Sequence, residues 1–133
     1  MQTSFTDKQL LDKDNKSSES ILRKCVHCGM CNATCPTFCV NGEELEGPRG
    51  RIYLIKDMLE NKKPANKKIV KHIDSCLSCY SCMTTCPSGV NYMHLIDHGR
   101  NYVEETYKRP FFDRLFRNVL SFVLPRPKVF LVL

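Results

Sequence analysis

The sequence contains no tryptophan and no run that approaches the roughly 18 consecutive apolar residues of a membrane-spanning helix. The stretch from Met1 to Ser20 also lacks an apolar segment resembling a signal peptide. A reducing cytosol is therefore the default compartment, and disulfide frameworks are rare there. We expect a cytoplasmic protein, and association with the inner face of the cytoplasmic membrane is left open.

Sustained alternation of apolar and polar residues is also missing, so the sequence predicts helices and not the hairpin strands of a small βαββαβ ferredoxin. No Ser/His/Asp set, phosphate-cradling glycine loop or dinucleotide fingerprint is present. The chain therefore shows no machinery for breaking bonds in a substrate, and no catalytic residue is assigned. Substrate chemistry is expected on a partner subunit.

Cysteine, in contrast, is abundant, and eight of the nine cysteines form two copies of one string. Each copy reads C-x2-C-x2-C-x3-C-P, the spacing that holds a [4Fe–4S] cubane through four thiolates. The first copy comprises Cys25, Cys28, Cys31 and Cys35 before Pro36, and the second comprises Cys76, Cys79, Cys82 and Cys86 before Pro87. Two complete strings predict two [4Fe–4S] clusters.

The ligands are expected to be exchanged between the strings. In two-cluster ferredoxins the fourth cysteine of each string ligates the other cluster, and the following proline turns the chain away. The predicted ligands are Cys25, Cys28, Cys31 and Cys86 for cluster 1, and Cys76, Cys79, Cys82 and Cys35 for cluster 2. This exchange predicts that both motifs fold as one metal-dependent unit.

Other metal sites explain the pattern less well. Paired C-x2-C strings also bind zinc, but zinc leaves the third cysteine and the repeated proline unexplained. The ninth cysteine, Cys39, is interpreted as a buried free thiol packed beside a cluster, in preference to a ligand or redox role. His94 and His98 lie one helical turn apart, yet no acidic or cysteine companion completes a zinc site. His27 is a loop residue or a hydrogen-bond donor near a cluster.

The formal net charge is +6, from 20 basic and 14 acidic residues. Because an oxidised cubane with four thiolates carries roughly −2, two clusters would lower the total to about +2. Five lysines between the motifs form either a solvated face or a docking patch for an acidic redox partner: Lys62, Lys63, Lys67, Lys68 and Lys71. Aromatic residues are not interleaved among them, so we expect no nucleic-acid partner.

The chain is expected to be mainly α, with residues 1–18 disordered, residues 19–109 forming a two-cluster 4Fe–4S ferredoxin-type domain, and residues 110–133 forming an amphipathic helix and the start of a further region. Gly47-Pro48 predicts a helix start, and Asn91 predicts an N-cap. Further helices are expected over about 19–24 and 65–74. Arg49 and Arg51 are interpreted as neutralising cluster charge, contacting a partner or serving the helix start.

The segment after Pro110 has an apolar face composed of Phe111, Phe112, Leu115, Phe116, Val119, Leu120 and Val123. Such a face packs on further protein, a membrane surface or a partner. The chain stops on five apolar residues from Val129 to Leu133, and we therefore expect a truncated chain.

Several longer strings resemble the iron–sulfur subunit of bacterial glycolate oxidase (glycolate dehydrogenase). They are KCVHCGMC at 24–31, CPT at 35–37, GEELEGPRGRIYLIK at 42–56, CLSC at 76–79, TTCPSGV at 84–90, HL at 94–95, GR at 99–100 and KRP at 108–110. The resemblance implies an α-helical ferredoxin domain with two [4Fe–4S] clusters. It also implies an FAD-linked 2-hydroxy-acid oxidase partner that oxidises glycolate, and electron flow towards quinone. CCG domains follow the ferredoxin domain in that family but are absent here.

Related subunits share the two cysteine strings, namely those of lactate utilisation, anaerobic glycerol-3-phosphate dehydrogenase and heterodisulfide reductase. The 47–56 stretch favours the glycolate family. Three functional hypotheses follow: an electron-transfer subunit, a structural zinc module for interactions, and a sensor that signals by losing its cluster. The cubane spacing of the strings favours the first hypothesis over the zinc module.

Overall fold

A computed structural model describes residues 1–127. It contains two 3₁₀ turns, Met30–Asn32 and Glu44–Glu46, and no strand within that range. Its helices are α1 (Asp7–Leu10), α2 (Lys13–Lys24), α3 (Pro36–Asn41), α4 (Pro48–Asn61), α5 (Lys67–Asp74), α6 (Ser81–Thr85), α7 (Tyr92–Thr106) and α8 (Phe111–Val123). The mainly α fold class is therefore confirmed.

Helix starts follow local chemistry. Helix α4 begins with Pro48 at its first position, where the missing N–H costs no hydrogen bond. The side chain of Asn91 accepts a hydrogen bond from the backbone N–H of His94 and caps α7. Asn66 caps α5 in the same way by accepting from Ile69 N–H. Both predicted helix starts, at Gly47-Pro48 and Asn91, are confirmed.

Helix α4 lies at the centre and packs against α7, α5 and α2. Its buried side chains Ile52, Ile55 and Met58 contribute to one apolar core with α7. Gly99 of α7 permits close approach, because a Cβ there would lie 2.8 Å from Ile55 Cγ1. This core holds the two cysteine-bearing loops on a common support.

The N-terminal segment differs from the expectation of disorder over residues 1–18. Helix α1 and the first part of α2 lie within it, and the Thr6–Gln9 pair forms a capping box for α1. The Nε2 amide of Gln9 donates to the backbone carbonyl of Leu59 at 2.9 Å and that of Glu60 at 3.0 Å. These long-range bonds order a polar segment that composition alone suggests is disordered.

Helix α8 is anchored at its start and exposed along its length. Arg109 pairs bidentately with Asp74 at 2.7 and 3.1 Å, and Arg117 also contacts Asp74 at 2.9 Å. The large exposed apolar residues of this helix are Phe111, Phe112, Leu115, Phe116, Val119 and Phe122. No helix in residues 1–127 combines the length and apolarity needed to cross a bilayer. The five apolar residues at 129–133 lie outside the described part of the chain.

Candidate iron–sulfur site

The two cysteine loops share one backbone conformation. In the first loop, positive φ occurs at His27 (60°) and Gly29 (85°). In the second loop it occurs at the equivalent positions, Ser78 (52°) and Tyr80 (57°). Alternating left-handed residues turn successive N–H groups into a concave nest that favours an anionic group. Since three of these four residues are not glycine, the surrounding structure must stabilise this backbone.

Each loop is also framed in the same way. Cys25 comes directly after α2, and Cys76 follows α5 after one intervening residue, Ser75. Their N–H groups donate to the carbonyls of Leu22 at 3.1 Å and Ile73 at 3.4 Å. The fourth cysteines, Cys35 and Cys86, both have extended backbone and precede proline. The repeat seen in the sequence is therefore a repeat of structure.

Two cavities lie between the two cysteine loops. Cysteines lining the first cavity are Cys25, Cys28, Cys31, Cys82 and Cys86, and those lining the second are Cys35, Cys76, Cys79 and Cys82. Each cavity thus brings together the three loop cysteines of one string and the last cysteine of the other. Cys82 lies between the cavities and borders both.

Burial and crowding disfavour free thiolates at this site. Burial raises the pKa of Cys31 to about 11, and the nearby Cys25 sulfur adds to the effect. Burial likewise raises the pKa of Cys82 to about 12, with Cys31 and Cys35 contributing. Cys79 is exposed, and hydrogen bonds from Ser81 lower its pKa. A cationic iron–sulfur core that binds these sulfurs would offset the negative charges of the thiolates, so that several of them could be buried close together.

A buried polar network supports the second cavity. The Arg51 guanidinium is 1% exposed, and its Nε donates to the His72 carbonyl at 2.6 Å. Its Nη2 donates to Glu46 Oε2, Thr37 Oγ1 and Ser75 Oγ, each at 3.0 Å. Its Nη1 faces Cys35 Sγ at 3.8 Å. This position beside Cys35 is compatible with neutralising cluster charge, one of the three roles that the sequence leaves open for Arg51.

Glu46 is the anion of this network. Burial opposes its ionisation, but hydrogen bonds from Ser75 and His72, and the charges of His72 and Arg51, hold its pKa below its ordinary value. His72 Nδ1 lies 2.7 Å from Glu46 Oε1, and Glu43 is 3.6 Å from the other ring nitrogen. Glu43, Glu46 and His72 have metal-ligand chemistry, but Arg51 and Ser75 already use the Glu46 carboxylate.

Two hydroxyl groups reach other sulfurs of the second cavity. Tyr92 is 3% exposed, and its hydroxyl donates to Cys76 Sγ at 3.7 Å. Burial raises the pKa of Tyr92 well above its ordinary value, so this phenol stays protonated. Ser81 Oγ donates to Cys79 Sγ at 3.6 Å.

The sequence alone does not identify the Glu46, His72 and Tyr92 side chains as part of the site. Glu46 and His72 are 26 residues apart along the chain, and Tyr92 and Cys76 are 16 apart, so no local spacing connects these partners. The one signal in the sequence is that Glu46 and His72 are polar residues close to the cysteine strings, which does not by itself predict that they are buried.

Other candidate residues lie apart from the cavities or at their rims. Cys39 is exposed and lines neither cavity, and its thiol donates to the Ala33 carbonyl at 3.5 Å. Packing of a buried Cys39 beside a cluster is therefore wrong. His27 lines the first cavity, and His98 Nδ1 instead lies 2.7 Å from Ser18 Oγ. The lysines at 62, 63, 67, 68 and 71 are all exposed, as both the solvated face and the docking patch require.

The donor set fits two iron–sulfur clusters. Each cavity has four or more cysteine sulfurs, and the loops supply concave backbone for an anionic cluster. When bound, such clusters accept and release single electrons. The cysteine sulfurs of the chain would hold the clusters, and Arg51, Tyr92 and Ser81 present N–H and O–H groups to sulfurs of the second cavity.

Repeated four-cysteine loops, a shared helical support and paired cavities define a helical two-cluster iron–sulfur protein. The sequence pattern of the 4Fe-4S dicluster domain matches residues 21–90. The chain belongs to this family and binds two [4Fe–4S] clusters.

Individual relatives agree with the family. The chain is 52% identical over 130 residues to the glycolate oxidase iron-sulfur subunit of Escherichia coli K12. The aligned region covers 98% of this chain and 32% of that protein. It is 31% identical over 117 residues to the probable glycolate oxidase iron-sulfur subunit of Bacillus subtilis 168, covering 84% and 26%. It is 27% identical over 84 residues to the mitochondrial succinate dehydrogenase [ubiquinone] iron-sulfur subunit of Candida glabrata, covering 59% and 33%.

The chain thus spans about a third or less of the length of these curated relatives. No solved structure matches it.

Proposed function

We propose that this chain is the cluster-bearing part of an electron-transfer subunit in a glycolate-oxidising complex. An FAD-linked 2-hydroxy-acid oxidase would oxidise glycolate, and the two clusters would pass its electrons one at a time towards quinone. The observation that carries the proposal is the 52% identity to the E. coli subunit over 98% of this chain. The paired cysteine cavities supply the conducting centres.

The proposed ligands are Cys25, Cys28, Cys31 and Cys86 for cluster 1, and Cys76, Cys79, Cys82 and Cys35 for cluster 2. The lining of the two cavities supports this exchange, because Cys86 borders only the first and Cys35 only the second. The proposed cluster-binding unit covers residues 19–109, as the sequence predicts, and the family match over 21–90 lies inside it.

Glycolate-driven reduction tests the functional proposal. The chain, purified anaerobically with its clusters, would be mixed with an FAD-linked glycolate-oxidising subunit and glycolate. We expect the cluster EPR signal to grow in proportion to glycolate. Lactate and glycerol 3-phosphate, each with its own flavoprotein, serve as matched controls for the related complexes. Reduction by one of these pairs and not by glycolate would contradict the substrate assignment.

A peripheral membrane contact at the inner face of the cytoplasmic membrane is also proposed, because electrons reach quinone there. The exposed face of α8 supports it, with Phe112 82% exposed and Arg114 on the same helix. The chain is expected to sediment with anionic phospholipid vesicles, and Phe112→Glu to weaken this at least about fivefold. Equal sedimentation of both proteins would contradict the contact.

A further inference from the structure

Side-chain hydrogen bonds to the ligand sulfurs are concentrated at one cavity. Within the described residues, side-chain donors reach Cys35, Cys76 and Cys79, which all line the second cavity. The first-cavity cysteines, Cys25, Cys28, Cys31 and Cys86, receive none from any side chain in residues 1–127. The two loops otherwise share backbone conformation and cysteine spacing.

This asymmetry has an electrostatic consequence. Reduction adds one negative charge to a cluster, so hydrogen bonds and positive charge near its sulfurs stabilise the reduced state more than the oxidised state. A buried donor is more effective than an exposed one, because water screens it less. Arg51 and Tyr92, which are 1% and 3% exposed, meet this condition. The first cavity also has a cation in its lining, Arg49, but that side chain is 40% exposed and pairs with Glu44 at 3.4 Å.

Arg51 is oriented by its partners, not free to turn. Its Nη2 is held by Glu46, and its Nε by the His72 carbonyl, which leaves Nη1 facing Cys35 Sγ at 3.8 Å. Glu46 compensates the charge of the guanidinium, but it contacts Nη2 while the sulfur contacts Nη1. The positive end of the ion pair therefore faces the sulfur.

We propose that the cluster held by Cys76, Cys79, Cys82 and Cys35 has the higher reduction potential of the two and takes up the first electron, with Arg51 and Tyr92 as the residues that set this order. In the step, an external one-electron donor such as dithionite is oxidised and the cluster gains one electron, and no bond forms or breaks. The role of Arg51 rests on the proposed exchange of Cys35. The role of Tyr92 does not, because Cys76 belongs to the second loop in either ligand arrangement.

Potentiometric EPR titration of the anaerobically purified chain tests the order. Two one-electron steps are expected. Tyr92→Phe removes only the hydroxyl at Cys76 Sγ. It should lower the equilibrium constant for reduction in the higher-potential step by about tenfold, which is 59 mV for one electron. The equilibrium constant for reduction in the lower-potential step should change by less than about threefold. Tyr102→Phe, on the same helix without a bond to a ligand sulfur, is the matched control and should leave both steps in place.

A change of opposite sign separates electrostatics from structure. Glu46→Gln keeps a side chain that can accept from Arg51 and Ser75 but removes the compensating charge. The reduction potential of the higher-potential step should therefore rise. A loosened structure would not raise the potential of one step selectively. Iron content and circular dichroism establish that each variant retains its clusters and fold. If Glu46→Gln loses iron, Tyr92→Phe alone decides.

The result that supports the inference is a selective fall of the higher step in Tyr92→Phe. A shift confined to the lower step, equal shifts of both steps, unchanged steps, or two steps that coincide in the unmodified chain would each overturn it. Failure here leaves glycolate-driven reduction and cluster content unaffected. The inference can therefore fail independently of the proposed function.

Discussion

His98 shows how one side chain takes a role that its sequence context does not suggest. Its spacing from His94 is that of a zinc pair, yet its Nδ1 lies 2.7 Å from the Oγ of Ser18, which is fully buried on α2. Burial lowers the pKa of His98 below its ordinary value of 6.5, and His94 adds to the effect. The side chain is thus a pH-sensitive link between α2 and α7.

The pH dependence of stability follows from that direction. The folded state binds a proton at His98 less readily than the unfolded chain does. The unfolded state therefore binds more protons in the range between the lowered pKa of the folded state and about pH 6.5. The free energy of unfolding should therefore fall as the pH drops from 7.5 through 6.5 and level off below the folded pKa. Anaerobic urea denaturation at several pH values measures this.

His98→Asn should flatten this dependence, and Asn101→Ala, which changes a neighbouring side chain that does not titrate, should keep it. An unchanged slope in His98→Asn would contradict the assignment.

Residue types and spacing identified the eight cysteines but not the side chains that surround them. Cysteine ligands are recognised locally, because each string places its sulfurs within one loop. Arg51 was found next to the strings but remained ambiguous among three roles. Its partners Glu46 and His72 come from other segments, and only the packed structure brings them together.

At the scale of elements, α4 packs closely against the 3₁₀ turn Glu44–Glu46 beside the cavities. A Cβ at Gly50 would lie 2.3 Å from the Glu44 carbonyl oxygen and 2.7 Å from Leu45 Cα. Backbone cannot rotate away as a side chain can. The turn that holds Glu46 against Arg51 therefore depends on glycine at position 50.

Gly50→Ala is expected to lower the free energy of unfolding by about 1–3 kcal/mol, a typical cost of overpacking. Gly99→Ala is the matched control, because its new Cβ would meet the side chain of Ile55 and alanine favours a helix. We expect a smaller loss there. Anaerobic denaturation followed by circular dichroism compares the two. A greater loss in Gly99→Ala would contradict the role given to the turn.

Helix positions were largely predictable, and the exceptions have physical causes. Proline at the start of α4 and asparagine before α7 are local signals that the structure retains. The N-terminal helices were missed because their order depends on Gln9 bonding to carbonyls about 50 residues away. The exposed apolar face of α8 was predicted from its periodicity, but periodicity does not say what covers it.

For the whole molecule, the two motifs depend on each other through shared cavities. Cys82 borders both cavities, and the fourth cysteine of each string crosses to the other loop's cavity. Metal ligation contributes directly to folding when ligands come from separate segments. The sequence predicted this interdependence, since the cysteine strings repeat. The unequal hydrogen bonding of the two sites depends on the tertiary structure and was not predictable.

Iron and sulfide content of anaerobically purified chains tests the central claim, that two cubanes share ligands between the strings. We expect about eight irons and eight sulfides in the unmodified chain. Cys28→Ala with Cys86→Ala removes two ligands of one cluster and should leave about four irons. Cys79→Ala with Cys86→Ala removes one ligand from each cluster, and this double variant should retain far fewer irons. The reverse order of the two double variants would contradict the ligand exchange, and about two zincs without sulfide in the unmodified chain would contradict the clusters themselves.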